Sequence, residues 1–172
     1  VERYDPASDA WEAAAPMAEA REAHAVAVLD GKLYAVGGCN DDDGYLSSVE
    51  RYDPALDVWE AVASMSTARD SHAVAVLDGK LYAVGGYKIY AVAGGDNNVG
   101  HLSSVERYDP GTDAWEEVAP LTLARFGAGV AALEGKLYAV GGFNYDDYCL
   151  SSVERYDPAV GAWEAVAPMA EA

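Results

Sequence analysis

The chain has 172 residues, 51% of them hydrophobic, and carries 29 Asp and Glu against 11 Lys and Arg, for a net charge of −18 and a pI near 4.2. This is enough apolar sequence for one real core, and it excludes a disordered chain. The acidic excess excludes nucleic acid and anionic membrane as partners, because phosphate contacts need Lys and Arg. It favours a basic or amphipathic partner, or simply solubility. The apolar runs are of strand length, so none spans a membrane as a helix.

Residues 1–20 open with Val-Glu-Arg-Tyr-Asp-Pro, followed by Trp11. Both runs are rich in β-formers, so they predict a strand pair, termed c and d. The chain starts inside a repeat, with no initiator methionine or signal-peptide pattern, and is expected to be a trimmed fragment. From residue 21 the pattern is fuller. The best-preserved copy, residues 69–124, predicts strand a over His72 to Leu77, apolar on both faces and therefore buried on both. Asp78-Gly79 is a two-residue hairpin turn. Strand b runs from Lys80 to Val84 and ends at Gly85-Gly86, where only glycine allows positive φ and close backbone approach. A variable loop, Tyr87 to His101, leads to strand c (Ser104 to Tyr108) and strand d (Trp115 to Ala119). A crossing segment ending at Arg125 then starts the next copy. Gly-Lys-Leu-Tyr-Ala-Val-Gly-Gly occurs verbatim at Gly31, Gly79 and Gly135, and Val-Glu-Arg-Tyr-Asp-Pro at Val1, Val49, Val105 and Val153.

Four antiparallel strands per unit of about 50 residues describe one propeller blade. The double glycine, tyrosine and tryptophan recur as Gly37-Gly38, Tyr52 and Trp59, then Gly85-Gly86, Tyr108 and Trp115, then Gly141-Gly142, Tyr156 and Trp163. On these residues the whole chain resembles the Kelch-repeat β-propeller family, and its frame is close to the Kelch domains of ubiquitin-ligase substrate adaptors. The fold class expected is all-β, with blades at 21–68, 69–124 and 125–172 and an orphan c–d pair at 1–20. The glycine pairs and Trp11, Trp59, Trp115 and Trp163 are expected to be structural. Three blades do not close a ring, since propellers use about four to eight. Two copies related by a two-fold would give six, so a homodimer is expected, with one c–d pair per chain left over; membership in a longer, already closed propeller is the alternative.

The copies agree letter for letter in Ser-Ser-Val-Glu-Arg-Tyr-Asp-Pro and differ in two places, the b–c loop and the d–a crossing. That resembles designed, self-assembling symmetric Kelch scaffolds with altered loops, and recent tandem duplication is the other source of such likeness. Propeller topology puts both variable places on one face. In the resembled adaptors this face binds peptides through crossing arginines, which here are Arg21, Arg69 and Arg125; Glu22 and Asp70 stand beside the first two and could neutralise them. With Tyr45, Tyr87, Tyr90, His101, Phe126, Tyr145 and Tyr148 these form the candidate binding set, aromatic anchors among adaptable polar groups. The long loop contains Lys88-Ile-Tyr-Ala-Val-Ala-Gly-Gly, a near copy of strand b, which reads as a hairpin arm or as a register alternative to strand b.

No enzyme site is expected. Asp41 to Asp43 lack the alternation of a calcium loop, and Cys39, His101 and Cys149 lie on separate loops, so no metal or cofactor is predicted. The cysteines are expected as free thiols. His24 and His72 recur at a frame position that the third copy fills with Ala128, and are expected to be structural. Glu50 with Arg51, and their copies, are expected to bridge blades. Kelch propellers also occur in copper enzymes of the galactose-oxidase kind, but these loops present no such ligand constellation. The function expected is a non-enzymatic scaffold presenting loops on one face, with adaptor-type peptide recognition as the alternative.

Overall fold

A computed structural model describes residues 1–90 and 98–172, the side chains of residues 89, 90, 98 and 99 excepted. The chain begins with the antiparallel pair β1 (Glu2–Asp5) and β2 (Ala10–Ala13). The first blade contains β3 (Ala25–Leu29), β4 (Lys32–Val36), the short loop hairpin β5 (Cys39–Asn40) and β6 (Gly44–Tyr45), then β7 (Val49–Asp53) and β8 (Val58–Val62). The second has β9 (Ala73–Leu77), β10 (Lys80–Val84), the longer loop hairpin β11 (Tyr87–Tyr90) and β12 (Asn98–His101), then β13 (Val105–Asp109) and β14 (Ala114–Val118). The third has β15 (Gly129–Leu133), β16 (Lys136–Val140), β17 (Phe143–Asn144), β18 (Tyr148–Cys149), β19 (Val153–Asp157) and β20 (Ala162–Val166).

Each blade is a four-stranded sheet in the order a-b-c-d, such as β9-β10-β13-β14, with every pairing antiparallel. The tight turn between β9 and β10 uses Asp78 and Gly79, both at positive φ (50° and 69°), as a turn that matches strand twist requires. Neighbouring a strands touch, β3 against β9 and β9 against β15, so the blades stand side by side around a shared axis.

The core lies between blades. Tyr34 of the first packs on Tyr108 of the second at 5.8 Å, and Tyr82 of the second on Tyr156 of the third at 5.9 Å. Leu81, Tyr82 and Leu137 are fully buried there. The double glycines permit this approach. A Cβ on Gly85 would lie 2.4 Å from the carbonyl oxygen of Arg125 in the next crossing, and one on Gly86 2.7 Å from that of Asp70 in its own blade's crossing.

Two sequence expectations change. Strand a is not buried on both faces in every blade: Val26, Val28 and Leu133 are more than half exposed, because the first and third blades each lack a neighbour on one side. Trp11 is 68% exposed, since no preceding blade covers β1 and β2. The long loop resolves as the hairpin arm. Tyr87–Tyr90 pairs with Asn98–His101, while Lys80–Val84 remains strand b; the rest of the near copy, 91–95, lies outside the described residues.

Candidate functional site

The candidate site is the face where crossings and b–c loops meet. Each crossing is zipped to the loop of its own blade by one two-residue bridge: Glu22 with Cys39, Asp70 with Tyr87, and Phe126 with Phe143. For Asp70 and Tyr87 the amides donate to each other's carbonyls at 3.1 and 3.0 Å. Adjacent crossings are tied as well, the Ser71 amide to the Ala23 carbonyl (2.9 Å) and the Gly127 amide to the Ser71 carbonyl (2.8 Å). Variable residues from two blades are thereby held side by side on fixed backbone.

The crossing arginines do not face outward. All three guanidinium side chains are fully buried. Arg69 Nη1 donates to the carbonyls of Gly85 (2.7 Å) and Ser104 (3.1 Å), and Nη2 donates to Ser104 Oγ (3.2 Å) and to Glu106 Oε1 (2.8 Å). Arg125 repeats this with Gly141, Ser152 and Glu154, and Arg21 with Gly37, Ser48 and Glu50. A guanidinium suits this place because its planar fork satisfies two strand-end carbonyls and a carboxylate at once. The arginines expected at the binding face are pins inside the blade, and their neighbouring acids Glu22 and Asp70 do not pair with them.

Glu106 completes the pin across the blade boundary by accepting the amides of Ser66 (2.7 Å) and Thr67 (3.1 Å) from the preceding blade's exit segment. Burial alone pushes its carboxyl up; the Arg69 guanidinium and the Ser66 amide reverse that and hold it below the usual carboxylate range. Glu50 and Glu154 are held low in the same way. The expectation that Glu50 and its copies bridge blades holds for the glutamates. Arg51 and its copies instead pair within their own blade, Arg51 with Glu60 on the adjacent strand.

What the face does present is aromatic. His101 stacks on Phe126 at 5.0 Å and lies 4.4 Å from Tyr145. Tyr87 meets His101 and Phe126, each at 5.8 Å, and Tyr45 at 6.0 Å. Phe143 links Phe126 (5.1 Å) to Tyr148 (5.9 Å), whose ring is 68% exposed. The structure thus gathers Tyr45, Tyr87, His101, Phe126, Tyr145 and Tyr148, while the Tyr90 side chain lies outside the described residues. A hydrogen bond with Tyr145 pushes the Tyr87 phenol up to about 12.

Between the second and third blades this cluster borders a pocket of about 230 Å³ lined by Asp70, Ser71, Tyr87, Phe126 and Tyr145. Sequence reasoning placed Asp70 beside Arg69 as its neutraliser; the arginine's turn into the blade leaves the carboxylate for the pocket. Asp70 Oδ2 accepts only a weak bond from Cys39 Sγ at 3.8 Å, and buried Oδ1 has no hydrogen-bond partner among the described residues. Burial raises the Asp70 carboxyl above its ordinary range. A second pocket, of about 340 Å³, is lined by residues of the first blade, including Glu22, Cys39, Asp41 and Asp42, and has no aromatic wall. Both cysteines are free, and burial with nearby Asp70 and Glu22 pushes the Cys39 thiol up, away from the reactive thiolate. His72 is buried with both ring nitrogens unbonded, and burial, Arg69 and His24 push it down to about 3, so it is neutral in the fold. No group of three or more His, Cys, Asp or Glu that could hold a metal ion is found among the described residues.

Four-stranded antiparallel sheets packed blade on blade, with a loop face built from crossings, define a propeller-type repeat domain. The chain belongs to the Kelch-repeat family: the Kelch-repeats domain described as KLHDC2/KLHL20/DRC7 matches residues 3–172. It is 54% identical to human Kelch-like protein 35 and 34% identical to the mouse protein, each over 136 residues covering 79% of this chain. It is 53% identical to human Kelch-like protein 5 over 49 residues. The chain spans about a fifth of the length of the Kelch-like protein 35 relatives it matches. In fold it is similar to the solved structure of YjhT, with a TM-score of 0.72 over 87% of this chain and 52% of that one, at 20% identity.

Proposed function

We propose that the chain is a non-catalytic protein-recognition module that binds a polypeptide on its loop face. One observation carries this. The crossing arginines and their partner glutamates are turned into internal pins, while the positions where the repeats differ converge on one face as an aromatic and acidic surface. Kelch-like relatives point to the same class of role. The test is selection of a random linear peptide library on the protein. Enriched peptides are expected to bind wild type and to lose affinity for the double variant F126A/Y145A. No enrichment, or binding indifferent to that variant, overturns the reading.

The reading includes closure of the ring by a second copy, as a symmetric scaffold of designed type would provide. Residues 153–172 differ from residues 1–20 only at Val160, Gly161 and Val166, where the first segment has Ser8, Asp9 and Ala14. Inside the chain, Trp59, Trp115 and Trp163 each donate through Nε1 to an alanine carbonyl of the preceding exit segment: Ala15, Ala63 and Ala119. Ala167 occupies that alanine position at the far end, so it is suited to receive Trp59 of a second copy. A two-fold pair joined in this way forms six blades with residues 1–20 of each chain displaced; if residues 153–172 are displaced instead, residues 1–20 of the second copy complete the last blade.

A further inference from the structure

We propose that the pocket between the second and third blades receives an arginine side chain of the partner polypeptide. This rests on the loop face being the recognition surface and names the chemistry of its ligand. The pocket is lined by the aromatic residues Tyr87, Phe126 and Tyr145 together with Asp70 and Ser71. Aromatic rings attract a cation placed over them, and more strongly once it is desolvated. Asp70 is partly buried with one oxygen unbonded, and burial disfavours its charged form. The adjacent Arg69 cannot serve as its counter-ion, because that guanidinium is committed to Glu106 and to two carbonyls inside the blade. A ligand cation would offset that buried negative charge.

The shape of the pocket selects among cations. A guanidinium is planar and more weakly hydrated than an ammonium, so it can stack on one ring while its fork donates to a carboxylate. A ligand carboxylate is disfavoured by the chain's net charge of −18 and by the Asp70 carboxylate itself. The feature is local to this boundary. In the first blade Cys39 stands where the second has Tyr87, and Glu22 where the third has Phe126; the pocket there has no aromatic wall.

The experiment uses the intact chain and the capped tripeptide acetyl-Gly-Arg-Gly-amide. Its comparison ligand has citrulline, the same shape without the charge, in place of arginine. The chain holds two phenylalanines, Phe126 and Phe143, so a spectrum labelled only at phenylalanine rings resolves the pocket directly. The Phe126 ring resonances should shift saturably with the arginine peptide. Citrulline, and separately Asp70→Asn, should each weaken binding about tenfold, the size of a desolvated ring–cation or charge contact. Equal titration by the citrulline peptide, or a Phe126 ring that does not respond, would overturn the proposal on the wild-type protein alone. The peptide library separates the two readings. Loop-face binders that contain no arginine leave the recognition module standing and sink the arginine pocket; no binders sink both.

Discussion

At the scale of single residues, this chain separates two kinds of charge. Arg69 and Glu106 are a buried pair in which both Nη atoms and both carboxylate oxygens are hydrogen-bonded, and removing one partner strands the other's charge in the interior. Arg69→Met should therefore cost about 3–5 kcal/mol in denaturant unfolding. Glu116 makes its ion pair with Arg107 more than half exposed, and Glu116→Gln should cost less than about 1 kcal/mol. A cost for Arg69→Met no larger than that for Glu116→Gln would contradict the pin. The same interior makes stability depend on pH. The His72 imidazole titrates near 3 in the fold against an ordinary value of about 6.5, so below 6.5 the unfolded chain takes up a proton that the folded one refuses. Stability is full above about 6.5 and falls as pH drops toward 3. Glu50, Glu106 and Glu154, held low in the fold, add a further loss as pH falls below their ordinary range. His72→Ala, the residue the third repeat already uses at Ala128, should flatten the decline between about pH 6.5 and 4.5 while leaving the steeper acid limb. An unchanged slope would show that His72 is protonated or solvated in the fold.

At the scale of elements, the double glycine explains both the blade and its spacing. Gly85 must let the next crossing pass, at a positive φ of 64°. Gly79 has a similar φ of 69°, with open space where a Cβ would be. Gly79→Ala should thus show only the left-handed backbone cost of about 1–2 kcal/mol, while Gly85→Ala should show that plus displacement of the Arg125 carbonyl and a distinctly larger loss. Equal losses in a thermal melt would mean the crossing does not need that space. Short apolar runs rich in β-formers, a turn dipeptide and paired glycines made these elements readable from the chain. Strand b is expected and observed at Lys80 to Val84, and the other strands shift by about one residue. The loop face was only half readable. Its aromatic members stand out by composition, but the direction of Arg69 depends on two carbonyls and a glutamate from strands b and c. Sequence neighbours therefore suggested an Arg69–Asp70 pair, and the fold sends the two side chains to different places. Asp70 was hidden for the same reason. The strand a expectation, read from His72 to Leu77, does not carry over to the first and third blades because burial there depends on having a blade on each side, which a repeat seen singly does not reveal.

At the scale of the whole molecule, stability is shared between neighbours, as in other repeat architectures. Each internal tryptophan is capped by the blade before it, and the one that lacks such a neighbour, Trp11, is exposed. Val26, Val28 and Leu133 leave inner-strand surface open at the two ends. Such surface is a site of association or aggregation unless covered. We propose that a second copy covers it, so that the loop face runs around six blades. Native mass spectrometry of the chain at low micromolar concentration tests this most directly. A single folded species at twice 18.1 kDa is the predicted result, and a folded monomer at 18.1 kDa would contradict it.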